Sequence, residues 1–188
     1  MSDADRPATA FDGESFLARG PLTEVALAVR QRLDRRPDAT ILTFDDRTGA
    51  VIDLDLRGTD AEIVARLDPQ LPRGRGRPKL GVVAREVTLL PRHWDWLAEQ
   101  PGGASQALRR LIDEARRGDG GQTQGRIARE RAYRVMSPLA GDRPGFEEAT
   151  RALFADDEIG FFRQAAGWPA DIRTYVQELA WSGVRGDD

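Results

Sequence analysis

The stretch Pro72–Arg117, PRGRGRPKLGVVAREVTLLPRHWDWLAEQPGGASQALRRLIDEARR, decides how the chain is divided. From Pro72 to Lys79 it holds only Pro, Gly and cations, with no apolar side chain before Leu80. Such an arm has nothing to bury and, by itself, cannot offset the entropy of becoming ordered. Val83, Val87 and Leu89 then share one side of an extended segment, and Glu86 and Thr88 share the other. Pro91 suits the first turn of a helix, which carries Trp94 and Leu97 three apart. Trp94 and Trp96 fall on nearly opposite faces of it, which predicts that one of them is core. Pro101-Gly102-Gly103 breaks the chain, and Ser105 is a good N-cap for a second helix. There Ala107, Leu108, Leu111, Ile112 and Ala115 form one stripe, with Arg109, Arg110, Arg116 and Arg117 around the rest. One strand and two short helices over 80–117 bury too little apolar surface to stand alone.

Before this stretch, residues 1–71 read as a small α+β unit with the order ββαββα. Short apolar runs flank the turn pair Asp12-Gly13, the mark of a hairpin. Leu22, Val25, Ala26, Val29 and Leu33 follow at helical spacing after Gly20-Pro21, and Arg36-Pro37-Asp38 ends that helix. A second hairpin is expected from Thr40–Phe44 and Ala50–Leu56, where Ile52, Leu54 and Leu56 alternate with Asp53 and Asp55. Thr59 with Glu62 matches a capping box, opening a short helix with Ile63, Val64 and Leu67 on its apolar side.

After it, Gly118–Gly125 (GDGGQTQG) reads as a linker, and residues 126–188 as a helical segment. Four apolar stripes succeed one another there, beginning at Ile127, Phe146, Ile159 and Ile172. The fold expected for the whole is therefore α+β: the ββαββα unit, a central strand-helix-helix and C-terminal helices.

Composition narrows the chemistry. The 188 residues carry a net charge of -3, so any affinity for nucleic acid must come from local clustering. With no cysteine there is no disulfide, thiolate ligand or cysteine nucleophile, which fits a reducing compartment. The N-terminal residues MSDADRPATAFDGES lack the basic flank and apolar core of a signal peptide, and no run is long enough to cross a bilayer. A cytoplasmic protein without membrane partners is expected. His93, the single histidine, has no second histidine with which to ligate a metal, and reads as a surface or interface residue. Asp45, Asp46, Asp53 and Asp55 read as turn formers and edge charges rather than as a site. No catalytic residue, metal ligand or cofactor is expected, and the chain is not expected to be an enzyme.

Two local resemblances give the central stretch a function. Arg75-Gly76-Arg77-Pro78, flanked by Arg73 and Lys79, resembles the AT-hook. That resemblance implies arginines lying along a narrow A·T-rich minor groove, whose negative potential draws them, around a Gly that lets the backbone approach the bases. The following strand-helix-helix resembles a ribbon-helix-helix reader. There two copies pair their strands, the ribbon enters the major groove, and the second helix presents its N-terminus to a phosphate. The resemblance implies Thr88 and Glu86 at base edges, and Arg85 with the backbone amides near Gly103 and Ser105 at phosphates.

GRGRPKLGVVAREVTLLPRHWDWLAEQPGGASQALRRLIDEARR, AYRVMSPLAGDRPGFEEATRALFADD and WPADIR together resemble the uncharacterised bacterial family called domain of unknown function 2239, over nearly the full length. That family brings no activity with it. The two local resemblances imply a homodimeric DNA-binding protein, a transcriptional regulator. The alternatives are an interaction module that dimerises without binding DNA, and, last, an enzyme on the acidic N-terminal unit.

Overall fold

The structure, a computed structural model, describes residues 6–67 and 85–182. Its elements are β1 (Pro7–Asp12), β2 (Ser15–Pro21), α1 (Leu22–Arg35), β3 (Ile41–Asp45), α2 (Asp60–Leu67), α3 (Pro91–Ala98), α4 (Gly103–Gly118), α5 (Gln122–Ala140), α6 (Phe146–Phe154), α7 (Glu158–Gln164) and α8 (Ala170–Gln177). A π-helical turn, Glu178–Ser182, prolongs α8. The class is mixed α+β.

The chain forms two compact units. One joins Met1–Leu71 to Thr123–Asp188, and the other is Pro72–Gln122. In the first, β1 and β2 pair antiparallel as a hairpin and β3 pairs antiparallel with β1, giving the order β2-β1-β3. Because side chains alternate along a strand, β1 divides its own between two cores. Ala8 and Ala10 pack with Leu22, Val25 and Val29 of α1. Phe11, with Phe44 of β3, packs against Met136, Tyr175 and Val176 of the C-terminal helices. The sheet is thus the middle layer of one unit, and the helices after Gly125 share its core instead of standing as a segment of their own. Burying Phe11 and Phe44 completely stabilises this arrangement by about 2 kcal/mol each.

The expected ββαββα order is corrected to ββαβα. Ala50–Leu56 meets the sheet at a single bridge, Phe44 opposite Val51, and forms no strand. The expected alternation survives: Ile52, Leu54 and Leu56 are half-buried while Asp53 and Asp55 are exposed. The ladder stops after two backbone bonds, the Asp45 amide to the Ala50 carbonyl at 2.9 Å and the Ile52 amide to the Thr43 carbonyl at 2.7 Å, and beyond residues 50–54 arginine side chains take the carbonyls. Arg30 donates to the Leu56 carbonyl at 2.6 Å, and Arg66 donates to those of Asp55 and Arg57. The capping box forms as the sequence predicts: the Thr59 amide donates to Glu62 Oε2 at 2.7 Å and the Glu62 amide to Thr59 Oγ1 at 3.3 Å.

The tight turn from Asp45 to Gly49 docks on α5. Gly49 has φ +69°, and the Arg131 backbone occupies the space that a Cβ would fill, so no other residue fits. Arg134 donates to the Thr48 carbonyl at 3.1 Å from the same helix. Ile127 and Ile159, expected in apolar stripes, are exposed; Ala128, Ala132, Val135 and Met136 carry the buried face of α5.

The expected linker 118–125 shrinks to a turn. α4 continues to Gly118, Gly120 and Gly121 take positive φ, and α5 already begins at Gln122, since glutamine favours helix as glycine does not.

Candidate nucleic-acid interface

The second unit contains α3, a turn and α4. Pro91 occupies the first turn of α3, as its fixed φ suits, and Leu97 is the side chain this helix buries. The expectation that one tryptophan is core is corrected: Trp94 is 41 % and Trp96 46 % exposed, and the shorter Leu97 is the buried side chain of α3. His93 is exposed.

The Pro101-Gly102-Gly103 turn needs both glycines, at φ +79° and +74°. It starts α4 earlier than expected. Gly102 is the N-cap, so Ser105 lies inside the first turn of the helix and does not cap it. The Gly103 amide donates to the Gln100 carbonyl at 3.0 Å.

The segment Arg85–Leu90 leading into α3 has no regular secondary structure, belongs to none of the three strands, and has no ladder partner among the described residues. The expected strand is therefore corrected for its described part. The physical reason is that a strand exists only by pairing. Arg85, Glu86 and Thr88 are all exposed on this backbone. Arg73, Arg75, Gly76, Arg77, Pro78 and Lys79 lie outside the described residues.

Lengths leave the apolar face of α4 incomplete. α3 has 8 residues and α4 has 16, so at 1.5 Å per residue α3 spans about 12 Å against about 24 Å. Ala107 is buried and Leu108 half-buried, but Leu111 is 38 % and Ile112 56 % exposed, and Ala115 is exposed as well. Glu114 lies to one side of this stripe, and Arg110, one helical turn before it and 3.9 Å away, lies farther round the helix and donates to Gln100 Oε1 at 3.5 Å. Arg109 and Arg116, seven residues apart, lie together on its other flank, with Asp113 beside them.

Charge is divided between the units. Residues 72–122 hold ten Lys and Arg against six Asp and Glu, a balance of +4; with the whole chain at -3, the remainder stands at -7. No comparable cation excess marks the first unit, whose arginines are largely paired. Arg6 binds the buried Asp45 at 2.6 Å, and Arg32 binds Asp12 at 2.9 Å. Arg19 reaches Asp46 at 3.2 Å, bonds Glu178, and lies 5.6 Å over the Tyr175 ring.

One polar cluster in that unit was not legible beforehand. The Tyr175 hydroxyl donates to Asp46 Oδ1 at 2.6 Å, joining residues 129 positions apart. Burial, and after it the bond and charge of Asp46, hold the phenol protonated far above its usual range. Asp46 looked like one more turn aspartate, and only the contact between the turn and α8 distinguishes it. Among the described residues no three His, Asp or Glu side chains gather as metal ligands, and no helix is long and apolar enough to cross a membrane.

A family model described as an uncharacterized protein conserved in bacteria (DUF2239) matches residues 7–180. No curated protein and no solved structure matches the chain.

Proposed function

The chain belongs to this uncharacterised bacterial family, and from its own residues we propose that it is a DNA-binding protein, a cytoplasmic transcriptional regulator that acts as a homodimer. The division of charge carries this reading: a +4 unit on a -7 remainder is the electrostatic footprint of a polyanion binder whose affinity is local. Within that unit Arg73, Arg75, Arg77 and Lys79 supply counterion-release affinity and, around Gly76, a minor-groove anchor. Arg85 and Thr88, which follow the arm in sequence and are exposed, would add phosphate and base contacts. The uncovered apolar stripe on α4 favours two copies over one. The absence of cysteine fits a reducing cytoplasm.

Titration of a labelled A·T-rich duplex with the parent and with Arg75→Ala/Arg77→Ala tests the arm. Each lost phosphate or groove contact should lower the slope of log affinity against log salt by about one, so the double variant should lose about two. A variant that binds as the parent does would remove the arm from the interface. The exposed Trp96 favours a second reading, a protein-interaction module. That reading predicts no duplex retention even at low ionic strength.

A further inference from the structure

We infer that Asp119-Gly120, in the turn between α4 and α5, is a site of spontaneous backbone modification: the chain closes there to a succinimide and reopens with water as isoaspartate. This goes beyond the proposed function and does not depend on it.

The sequence confines such chemistry to two places. Ring closure needs a carboxyl or carboxamide on the β carbon and a following amide that can approach it, and glycine, with no Cβ, obstructs that approach least. The chain has no asparagine, and aspartate precedes glycine only at Asp12-Gly13 and Asp119-Gly120.

The structure separates these two. Their glycines share one conformation, φ +59° at Gly13 and +56° at Gly120, and at neither does anything beyond the chain neighbours lie within 4 Å of the space a Cβ would take. What differs is the attacking nitrogen. The Gly13 amide donates to the Thr40 carbonyl at 2.8 Å, whereas the Gly120 amide has no acceptor among the described residues. The backbones differ as well. Asp12 ends the middle strand, in register with Ser15 on one side and Ile41 on the other, and its carboxylate pairs with Arg32 at 2.9 Å. Asp119 is the C-cap of α4, in a turn with glycines at 118, 120 and 121. Turning the Gly120 nitrogen toward Asp119 Cγ opens the turn bond from the Gln122 amide to the Asp119 carbonyl, 3.0 Å long, at a helix end where fraying is cheap. The same rotation at Asp12 pulls the Gly13 amide off Thr40 at the end of a ladder paired on both sides.

The step balances with water alone. The Gly120 nitrogen bonds to Asp119 Cγ, the carboxyl hydroxyl leaves, and it departs as water with the amide proton. Water then opens the ring at either carbonyl. Attack at Cγ restores aspartate. Attack at the α carbonyl leaves the main chain running through Cβ and Cγ, one carbon longer, with the α carboxylate set free. The carbonyl that accepts from Gln122 thereby leaves the main chain, so the product disturbs the start of α5.

Incubating the full chain for weeks in heavy-oxygen water at neutral pH, below its unfolding transition, tests this. Each ring opening inserts one heavy oxygen, which is located by fragment-ion mass after digestion in ordinary water. In the native chain Asp119 should take up label at least about tenfold faster than Asp12, where a hydrogen bond and an ion pair must open first. In urea that unfolds the chain the two should label alike. Asp119→Glu, whose side chain would have to close a larger ring, should stop the uptake at that position and leave the far-UV spectrum and the uptake at Asp12 unchanged. Equal labelling of both aspartates in the native chain, or faster labelling at Asp12, overturns the inference. So does a native Asp119 that stays unlabelled while the unfolded chain takes up label there.

Discussion

The Asp45 carboxylate is almost wholly buried at the end of β3, and two groups keep it charged. Burial alone pushes its pKa up. The Arg47 amide at 2.8 Å and the Arg6 guanidinium at 2.6 Å more than offset that, and the net shift is downward. A folded-state pKa below the unfolded one means that the stabilisation is complete above the unfolded value, about 3.9, and drains away as pH falls through the lower folded value. Denaturant unfolding at pH 7 and at lower pH should show it. Asp45→Asn should cost on the order of 2 kcal/mol at pH 7, and the gap between variant and parent should close below about pH 4. A gap that stays constant with pH would mean that the residue contributes through shape and not through charge.

Among the elements, the end of α6 has the sharpest local signature. The Asp156 amide donates to the Leu153 carbonyl at 3.1 Å and the Asp157 amide to that of Ala152 at 2.9 Å, the bond pattern of a Schellman cap. Its left-handed position, φ +60°, holds Asp156 where glycine is usual. Asp156 keeps that place by accepting from Trp181 Nε1 at 2.8 Å and pairing with Arg129 at 2.9 Å, while Asp157 caps α7 through Gly160. Both Asp156→Gly and Asp156→Ala lose those side-chain bonds, but only alanine also meets the steric penalty of positive φ. Alanine should therefore be the more destabilising by about 1 kcal/mol in chemical denaturation. Equal losses would show that the backbone there is unstrained.

The elements also mark what the residues disclosed in advance and what they did not. Thr59 and Glu62 lie three apart and answer each other's amides, so that helix start was plain from local sequence, as were α1 and α4–α8 from their apolar spacing. Ala50–Leu56 alternates like a strand, yet Arg30 and Arg66 reach from other elements to take its carbonyls, and nothing local announces that. For the candidate site, the arginines and the Gly-Gly break were legible. The engagement of the Gly103 amide with Gln100 was not, because it depends on how far back the helix begins. The Trp94 and Trp96 burial was misjudged because a short helix has room for only one contact side chain, and Leu97 fills it.

At the scale of the molecule, the basic unit is an insertion. The chain leaves the sheet-and-helix scaffold after α2 and returns at α5, and the two halves of that scaffold share the core around Phe11, Phe44, Met136 and Tyr175. Replacing residues 68–121 by a Gly/Ser linker of about ten residues should leave a folded scaffold that unfolds cooperatively as one unit. It should carry the acidic charge balance and retain no duplex. A deletion chain with no cooperative transition would mean that the scaffold needs the insertion in order to fold.

The salt dependence of duplex binding by the intact chain tests the proposed function most directly. Fluorescence anisotropy of a labelled A·T-rich duplex, titrated at about 50 and about 200 mM monovalent salt, should show tight retention at the lower salt and at least a tenfold loss at the higher, as release of several counterions requires. No retention at 50 mM, or an affinity indifferent to salt, would contradict the assignment of the basic insertion to DNA.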